Sequence, residues 1–463
     1  MSYRDTLIVL TLIGNFFASS ASAQQAIPSG VGQVQIPSVP NQEIKQEVKQ
    51  EVKPEVKPEL PPIPPLTPPA ALPVLGCASC GDTTGTCGDF GCAGGPQVKG
   101  PKYAVELDYT HSFMWFEPKS SPFPLAVGGM PGAVANTLLS GNNSLGMFNS
   151  FGFNLKMWLD QEHVQGLGGG GFITENRARY DSVTGGPGGI TIQRPFIDAV
   201  TGLPSSLLVA SGNPAPGQSF AGSIATVSTA RLAGADIHIR RNLFTNSTYR
   251  LDLFYGFRYY DLNESFTIYQ ATGVANQIVK VGNQPALAPT DTVLLRDRSY
   301  TRNQFYGGEV GAFASAQSGI LFATLTPRIA FGPFHQVSKI EGETQSTNVG
   351  QNTALGGLLA AGTGPGNGNI NQTAENRFGL AVNVAVQGGI HVTEQLSLSV
   401  GYNFLFFNEV ARPISQFDST INTRVVPISN AFGSTSGPAA PRNQLTRESF
   451  YAHGATVTIQ IAY

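Results

Sequence analysis

The sequence predicts an all-β protein: a closed antiparallel up-and-down transmembrane β-barrel of about ten strands, within a range of ten to fourteen, after a disordered Pro-rich N-terminal extension. Three observations lead to this prediction. From residue 101 onward, apolar and polar residues alternate in segment after segment, the gaps between these segments alternate between long and short, and the chain ends on such a segment. Alternation with a period of two is typical of strands with one apolar and one polar face, and membrane-spanning barrels show it in each strand.

Residues 1–23 predict a secretory signal peptide. Arg4 precedes an apolar stretch from Leu7 to Ala18, and Ala21-Ser22-Ala23 forms an A-x-A cleavage site in front of Gln24. The apolar stretch is shorter than the roughly 18 residues that a membrane helix needs, so cleavage is favoured over an uncleaved anchor. The mature chain is therefore expected to be exported and to begin at Gln24.

Residues 24–76 predict a disordered periplasmic spacer rich in Glu, Lys and Pro. A Glu-x-Lys unit recurs from Glu43 to Lys57 and is followed by a proline-rich run. Proline at this density favours extended polyproline II and opposes a packed core, so residues 42–73 would extend over roughly 100 Å at about 3.1 Å per residue. A passive linker is the favoured interpretation, and contact with the cell wall is the alternative.

The Cys/Gly-rich segment of residues 77–100 contains all the cysteines of the chain: Cys77, Cys80, Cys87 and Cys92. In an exported protein this favours two disulfides, although the spacing does not determine their connectivity. A zinc site is less favoured because no histidine lies nearby and the spacing is irregular for a zinc finger. Free or intermolecular thiols are the third interpretation.

Residues 101–463 predict the barrel itself. Its clearest alternating segments are 103–116, 151–160, 249–260 and 396–407. The long gaps fall near 117–146, 181–220, 271–296, 342–376 and 414–446, and the short gaps near 161–167, 241–247, 317–319 and 391–395. Because outer-membrane barrels have short periplasmic turns and long outer loops, this spacing predicts ten strands with both termini on the periplasmic side.

The final segment, TVTIQIAY, predicts the strand that closes the barrel. Val457, Ile459, Ile461 and Tyr463 share its apolar face. Lipid offers no hydrogen-bond partner to an unpaired strand edge, so the first strand is expected to pair with the last. The terminal aromatic Tyr463 is similar to the residue by which the barrel-assembly machinery recognises outer-membrane barrels.

If the apolar side chains of each strand face outward, the alternation predicts that charged side chains of both signs face the inside of the barrel. Acidic and basic ladders that face each other would create a transverse field and set pore selectivity, whereas charges that pair across a narrow interior would plug it. The residues are Glu106, Asp108, Lys156, Asp160, Asp236, His238, Arg240, Arg250, Asp252, Arg258, Glu309 and Arg328.

The sequence predicts neither an enzyme nor a cofactor or metal site. The six histidines are dispersed, and no HExxH, G-x-S-x-G or Walker A motif is present. Asp261 and Glu264 are the candidate pair for acid–base chemistry, but solvated rim residues are the favoured interpretation. A formal net charge of −2 provides no basic face for nucleic acid.

Several segments taken together resemble the planctomycete β-barrel porin family. The clearest are Gly401–Asp418, Leu253–Tyr269 and Thr301–Gly311, and the Gly-rich stretch 356–362 fits as well. The resemblance covers roughly residues 100–463. It implies an outer-membrane barrel and carries no catalytic motif.

The expected function is therefore passive diffusion of small hydrophilic solutes through an outer-membrane porin. The alternative is a plugged structural or surface-interaction barrel, with long outer loops and a periplasmic spacer that contacts the cell wall. Outer-membrane lipid and the barrel-assembly machinery are the expected partners in either case, and the sequence does not indicate an oligomeric state.

Overall fold

A computed structural model of the chain describes residues 102–463 apart from 131–133, 143, 214–218, 275–280, 283–290, 348–352, 363–367 and 435–436. The predicted signal peptide, spacer and disulfides lie outside these residues. The two helices that the structure describes are short 3₁₀ turns, Pro413–Gln416 and Thr423–Val425. Within the described part of the chain, no helix has the length and apolar character needed to span a membrane.

The described residues form seventeen strands. In chain order they are β1 (Val105–Phe116), β2 (Ala126–Gly129), β3 (Asn136–Leu139), β4 (Met147–Trp158), β5 (Gln165–Thr174), β6 (Arg177–Gly185), β7 (Thr191–Asp198), β8 (Pro204–Ala210), β9 (Gly222–Thr245), β10 (Tyr249–Gly273), β11 (Thr292–Ser318), β12 (Leu321–Ser346), β13 (Thr353–Leu355), β14 (Gln372–His391), β15 (Leu396–Val410), β16 (Thr420–Ile421) and β17 (Glu448–Ala462).

Ten strands form a closed ring in which each is hydrogen-bonded to two antiparallel neighbours. Their order is β1-β4-β5-β9-β10-β11-β12-β14-β15-β17, and β17 returns to β1. The closing pair stays in register from Glu106–Ala462 to Phe116–Ala452, and the amide of Tyr463 donates to the carbonyl of Val105. The number of ring strands therefore agrees with the ten expected from the alternating gaps.

The two ends of the ring differ in the length of their connections. At one end, which we call the terminal end, the chain enters β1 and leaves β17, and the turns span only 159–164, 246–248, 319–320 and 392–395. At the opposite loop end the connections are long. Strands β9 to β12 also continue beyond their neighbours there, since they have 24 to 27 residues whereas β1 has 12.

Side chains alternate between the two faces of the ring. On β10, the odd-numbered residues from Tyr249 to Phe257 point outward and are exposed, whereas Asp252, Phe254 and Arg258 point inward and are buried. We call the outward band the apolar belt. From Tyr249 to Tyr259 it rises roughly 25 Å for a strand tilted by about 40°, which is the height of the apolar band of a membrane-spanning barrel.

The closing strand contributes to the apolar belt. Val457, Ile459 and Tyr463 are exposed on the outer face, and Ile461 is half-buried beside them. Thr456 and Thr458 on the same strand point inward and are buried. The polar and apolar sides of β17 thus coincide with the inside and the outside of the ring.

The long connections contain a second sheet, whereas the sequence predicted long outer loops and a range of ten to fourteen strands. Strands β16, β7, β2 and β3 pair in that order, and β8 pairs with β7. Ile192 of this sheet, together with Leu358 and Ile414 from the neighbouring connections, forms one buried apolar cluster with the extended parts of β9 to β12. We call this sheet, together with residues 356–362 and 411–428, the cap.

Candidate functional site in the interior of the ring

A cavity of about 730 Å³ occupies the terminal half of the interior. Its lining includes the turn residues Thr248, Gly319 and Glu394 at the terminal end, and it reaches as far as Tyr260 and Leu405. We call it the vestibule. Its volume lies within the range of about 300–1,000 Å³ that small-molecule pockets occupy.

The first charged cluster in the vestibule joins distant parts of the ring. Arg250 on β10 donates to Glu106 on β1 at 2.7 Å, although β4, β5 and β9 separate these two strands along the ring. Arg250 also pairs with Asp252 at 2.8 Å. The members of this terminal cluster are Glu106, Asp108, Lys156, Arg240, Arg250 and Asp252.

The terminal cluster neutralises itself. Lys156 bridges Glu106 at 3.2 Å and Asp108 at 2.8 Å, and Arg240 pairs with Asp252 at 2.7 Å. The cluster contains three cations and three carboxylates, and none of their side chains is more than 13% exposed. Its charges therefore cross-link the interior rather than attract ions of one sign.

A second cluster lies deeper in the ring and consists of Asp236, His238, Arg258, Glu309 and Arg328. The Nη1 atom of Arg328 lies 3.2 Å from both carboxylates, and Arg258 lies 2.6 Å from Asp236 and 3.4 Å from Glu309. Nδ1 of His238 lies 2.9 Å from Asp236. Two carboxylates face two guanidinium groups, so this middle cluster is also balanced.

The middle cluster has the atoms for a metal site but not the charge. Asp236, His238 and Glu309 each bring one ligand atom within 4.8 Å of the others. Both carboxylates, however, are already bound by Arg258 and Arg328. Two fixed positive charges at this distance oppose a bound cation, so the cluster is better described as an ion-pair network.

Apart from His391 and the turn residue Glu394, the opposite wall of the vestibule is polar and uncharged. Strands β14, β15 and β17 contribute side chains such as Asn383, Gln387, Asn403 and Thr458. The charged side chains of the two clusters belong to β1, β4 and β9 to β12, where carboxylates and cations pair with one another. The vestibule can offer hydrogen bonds to a polar solute, but no net charge.

Eleven of the twelve charged residues assigned to the interior lie there, and Asp160 does not. It lies in the β4–β5 turn, where its carboxylate accepts hydrogen bonds from the amides of Val164 and Gln165 at 2.8 and 3.1 Å. The assignment of Asp160 was wrong because alternation was continued past Trp158, where the strand ends. A short acidic side chain at a turn caps free amides instead.

The glycine run GLGGGG on β5 makes room for the charged clusters, a role that sequence reasoning missed. Gly166, Gly168 and Gly170 share the inward face. A Cβ on Gly168 would lie 2.3 Å from Nε2 of His238. Side chains from β9 can therefore lie across β5. In the sequence, the glycine run was the signal that could have predicted this close approach.

Replacing Gly170 by alanine is expected to destabilise the ring by about 1–3 kcal/mol, the usual cost of overpacking. The added Cβ would lie 2.3 Å from the backbone oxygen of Phe153, which cannot move without disturbing the β4–β5 pairing. The free energy of unfolding in detergent, measured with denaturant, tests this. Gly308→Ala is the matched control, because nothing lies within 4 Å of its Cβ position, and equal costs at both positions would contradict the explanation.

An aromatic layer closes the inner end of the vestibule. Eight of the ten ring strands contribute one inward aromatic side chain each, and adjacent ring centroids lie 4.0 to 6.2 Å apart. Leu232 on β9 and Ala381 on β14 complete the layer. We call these aromatic residues the seal: Phe116, Phe148, Phe172, Tyr260, Phe305, Phe334, Phe407 and Phe450.

Sequence reasoning also missed the seal, although a signal was present. Adjacent aromatics occur at 115–116, 259–260, 406–407 and 450–451. Neighbouring residues of a strand point to opposite faces, so one member of each pair must point inward. One ring of each pair therefore points outward and the other points into the interior.

Behind the seal, the chain after β15 folds back into the ring. The side-chain amide of Asn303 donates to the carbonyl of Ala411 at 2.9 Å and accepts from its amide at 2.8 Å. Arg412, which is 1% exposed, pairs with Glu264 at 2.7 Å and lies over the ring of Phe450. Residues 411–417 thus form a second barrier at the loop end.

Asp261 and Glu264 lie on opposite faces of β10 and cannot act as an acid–base pair. Asp261 points outward and accepts two hydrogen bonds from Arg302, at 3.0 and 2.8 Å. Glu264 is buried inside, 3% exposed, so its interpretation as a solvated rim residue was wrong. The three-residue spacing puts them on opposite sides of a strand.

The cap is anchored by a buried carboxylate. Asp297 is fully buried and accepts hydrogen bonds from the amides of Leu359 and Ala360, at 3.0 and 2.9 Å. Its other oxygen accepts from Arg194 at 2.8 Å, and Arg194 is 1% exposed. The Gly-rich stretch 356–362 is therefore held against the inner face of the extended part of β11.

A closed ring of antiparallel strands, with an apolar outer belt and a polar interior, defines the class of this protein as a β-barrel. The chain belongs to the family described as Putative beta barrel porin-7 (BBP7), whose sequence model matches residues 124–463. The resemblance to a β-barrel porin family noted from the sequence is thereby confirmed. None of the curated proteins matches the chain.

Solved outer-membrane barrels are similar to this chain at low identity. The outer membrane protease OmpT from Escherichia coli is 10% identical, with a TM-score of 0.34 over 78% of this chain and 97% of its own. The toluene transporter TodX of P. putida is 6% identical, with a TM-score of 0.19 over 78% and 91%. The translocator domain of the autotransporter NalP from Neisseria meningitidis is also 6% identical, with a TM-score of 0.18 over 78% and 90%. Such values add nothing to the assignment of a function.

Proposed function

We propose that the protein is an outer-membrane barrel that is sealed against passive diffusion and has a blind polar vestibule open to the periplasm. The seal is the observation that carries this proposal. Phe305, Phe334 and Phe407 are at most 1% exposed although they point into the ring. An aromatic layer contributed by eight of the ten ring strands, with Leu232 and Ala381 from the other two, supports a barrel that is closed to water and ions.

The ion-pair clusters support the same proposal. The pair between Arg250 and Glu106 joins β10 to β1 across the interior. Small barrels of about eight strands fill with their own side chains, and aqueous channels are typical of sixteen strands or more. With ten strands, this ring is closer in size to the barrels that fill with their own side chains than to those that contain an aqueous channel.

Passive diffusion of small hydrophilic solutes is the second candidate function. The family description and the polar vestibule of about 730 Å³ favour it. It requires the seal and residues 411–417 to move aside together, since both lie between the vestibule and the loop end. The two functions differ in one measurable property, the conductance of the resting barrel.

The mature chain from Gln24, folded in detergent and inserted into a planar lipid bilayer, is expected to show no conductance steps. Insertion is verified separately by protection of the apolar belt from protease in vesicles of the same lipid. A sixteen-stranded porin in the same bilayer is the positive control. Discrete steps that scale with salt concentration would refute the sealed barrel and support the porin.

Location and partners follow from the barrel and belong to the proposal. The apolar belt fits outer-membrane lipid, and the short turns fit the periplasmic side. In this orientation we propose a periplasmic location for the N-terminal spacer as well. The assembly machinery would recognise the closing strand that ends at Tyr463. Contact of the spacer with the cell wall is proposed on sequence grounds alone, and no enzymatic activity is proposed.

A further inference from the structure

Strands β9 to β12 carry a group of cations on their outer face beyond the apolar belt. Arg302 lies four residues beyond Tyr306 on β11, and Arg296 lies ten residues beyond it. At about 2.5 Å of height per residue for a tilted strand, they lie roughly 10 to 25 Å outside the edge of the belt. We call this group the outer basic patch: Arg231, Arg296, Arg298, Arg302 and Lys339.

The side chains of the outer basic patch are exposed and lie close to one another. The side chains of the three β11 arginines and Lys339 are 40% to 48% exposed. In the ladder, Arg231 on β9 faces Asn263 on β10, which faces Arg302 on β11. Two strand spacings of about 4.8 Å therefore separate Arg231 from Arg302, which is within reach of one polyanionic headgroup.

The outer basic patch keeps an excess of positive charge. Its carboxylate partners are Asp261 for Arg302, Glu343 for Arg296, and Glu341, which Arg298 and Lys339 share. Partial burial raises the pKa of Glu341, but the hydrogen bond from Lys339 and the neighbouring cations outweigh it and hold that pKa below its usual range. Among the described residues, no carboxylate pairs with the exposed Arg231. Five cations thus face three carboxylates.

A groove of about 500 Å³ adjoins the outer basic patch between β12, β13 and the start of β14. Arg296 and Lys339 line it together with their ion-pair partners Glu343 and Glu341 and with the amide side chains of Asn371 and Gln372. Guanidinium and ammonium groups bind phosphate oxygens, and amides bind sugar hydroxyls. The groove therefore places two cations, each paired with a carboxylate, beside amide groups, and the excess positive charge for a phosphate lies in the adjoining outer basic patch.

We propose that the outer basic patch and its groove bind the phosphate-bearing saccharide headgroup of a glycolipid in the outer leaflet. The acyl chains of that lipid would lie along the apolar belt below, against Tyr306 and Phe331, which are exposed there. This inference rests on the proposed function, since it requires the loop end to face outward. Clusters of basic residues just outside the hydrocarbon are the usual recognition element for anionic lipid headgroups.

The test measures binding of rough-type lipopolysaccharide with phosphorylated core sugars to the full mature chain in detergent. Each cation near a membrane surface contributes roughly 1 kcal/mol to the binding of an anionic lipid. Arg231→Gln breaks no ion pair and is therefore expected to weaken binding about fivefold. The triple variant Arg298→Gln, Arg302→Gln and Lys339→Gln is expected to weaken it about a hundredfold. Arg241→Gln is the matched control, because Arg241 is also exposed on β9 but lies at the terminal end. It is expected to leave binding unchanged.

Three outcomes would overturn the proposal. The first is that both the Arg231 variant and the triple variant bind lipopolysaccharide as tightly as the wild type does. The second is that enzymatically dephosphorylated lipopolysaccharide binds as tightly as the phosphorylated form. The third is that phosphatidylglycerol vesicles of the same charge density bind as tightly as lipopolysaccharide. Displacement by inorganic phosphate at the same concentration would show a phosphate site without headgroup recognition, and would also count against it. Conductance of the wild type does not enter this test, so failure of the sealed barrel and failure of the glycolipid site are distinguishable.

Discussion

Phe407→Ala is expected to destabilise the protein by about 3–5 kcal/mol, the usual cost of removing a fully buried ring. Phe407 is 1% exposed and occupies the centre of the seal, with ring centroids 4.9 Å from Tyr260, 5.7 Å from Phe334 and 5.8 Å from Phe450. These partners come from β10, β12 and β17, so the surrounding strands cannot collapse into the cavity without deforming the ring. Denaturant unfolding in lipid vesicles, followed by the fluorescence of Trp115 and Trp158, measures the loss.

Phe404→Ala is the matched control for this prediction. It removes the same side chain from the same strand, but Phe404 points outward and is 36% exposed on the apolar belt. Lipid can fill the space that it leaves, so the expected loss is about 1 kcal/mol, near the centre of the distribution for single substitutions. A loss at Phe407 no larger than that at Phe404 would show that the interior is loosely packed, and would remove the support for a seal.

Asp297→Ala is expected to cost about 3–5 kcal/mol, because it leaves the buried Arg194 without a counter-charge. It also removes the acceptor of two amide hydrogen bonds that hold residues 359 and 360 against the extended part of β11. Besides the lost stability, the stretch 356–362 is expected to exchange its amide hydrogens faster. Denaturant unfolding and hydrogen exchange of the same sample measure both effects.

Asp261→Ala separates the effect of burial from the effect of the ion pair itself. Asp261 pairs with Arg302 at 2.8 Å, the same distance as the pair between Asp297 and Arg194, but its partner side chain is 40% exposed. Exposed ion pairs are worth about 0–1 kcal/mol, so little stability should be lost. Equal losses for Asp261→Ala and Asp297→Ala would mean that the cap does not depend on its buried carboxylate.

The ring was predictable from the sequence because the pattern that defines a ring strand lies within the strand itself and recurs in every strand. Each ring strand must present apolar side chains outward and polar ones inward, so segments such as 249–260 and 396–407 show a period of two. The long and short gaps then determine the number of strands. The same alternation of side chains assigned the residues of the terminal and middle clusters to the interior. Among the charged residues, this assignment was wrong only for Asp160, which follows the end of its strand.

The contents of the loop end were less predictable, because they depend on contacts between distant segments. Strands β2, β3 and β16 have only two to four residues, too few for a period to be recognised. Glu264 has the same local sequence context as a solvated rim residue, and only the return of Arg412 into the ring buries it. The outer basic patch likewise combines residues from three strands that share no motif.

Taken by itself, the sequence determined that the chain forms an all-β ring of ten strands, which residues face outward, and which strand closes the ring. These properties follow from the alternation of side chains along each strand and from the length of the gaps. Only the tertiary structure brought aromatic side chains from eight strands together into one layer across the interior. Whether inward side chains line a channel or fill it depends on where rings such as Tyr260 and Phe407 meet, and they come from strands that lie far apart in the chain and on different sides of the ring.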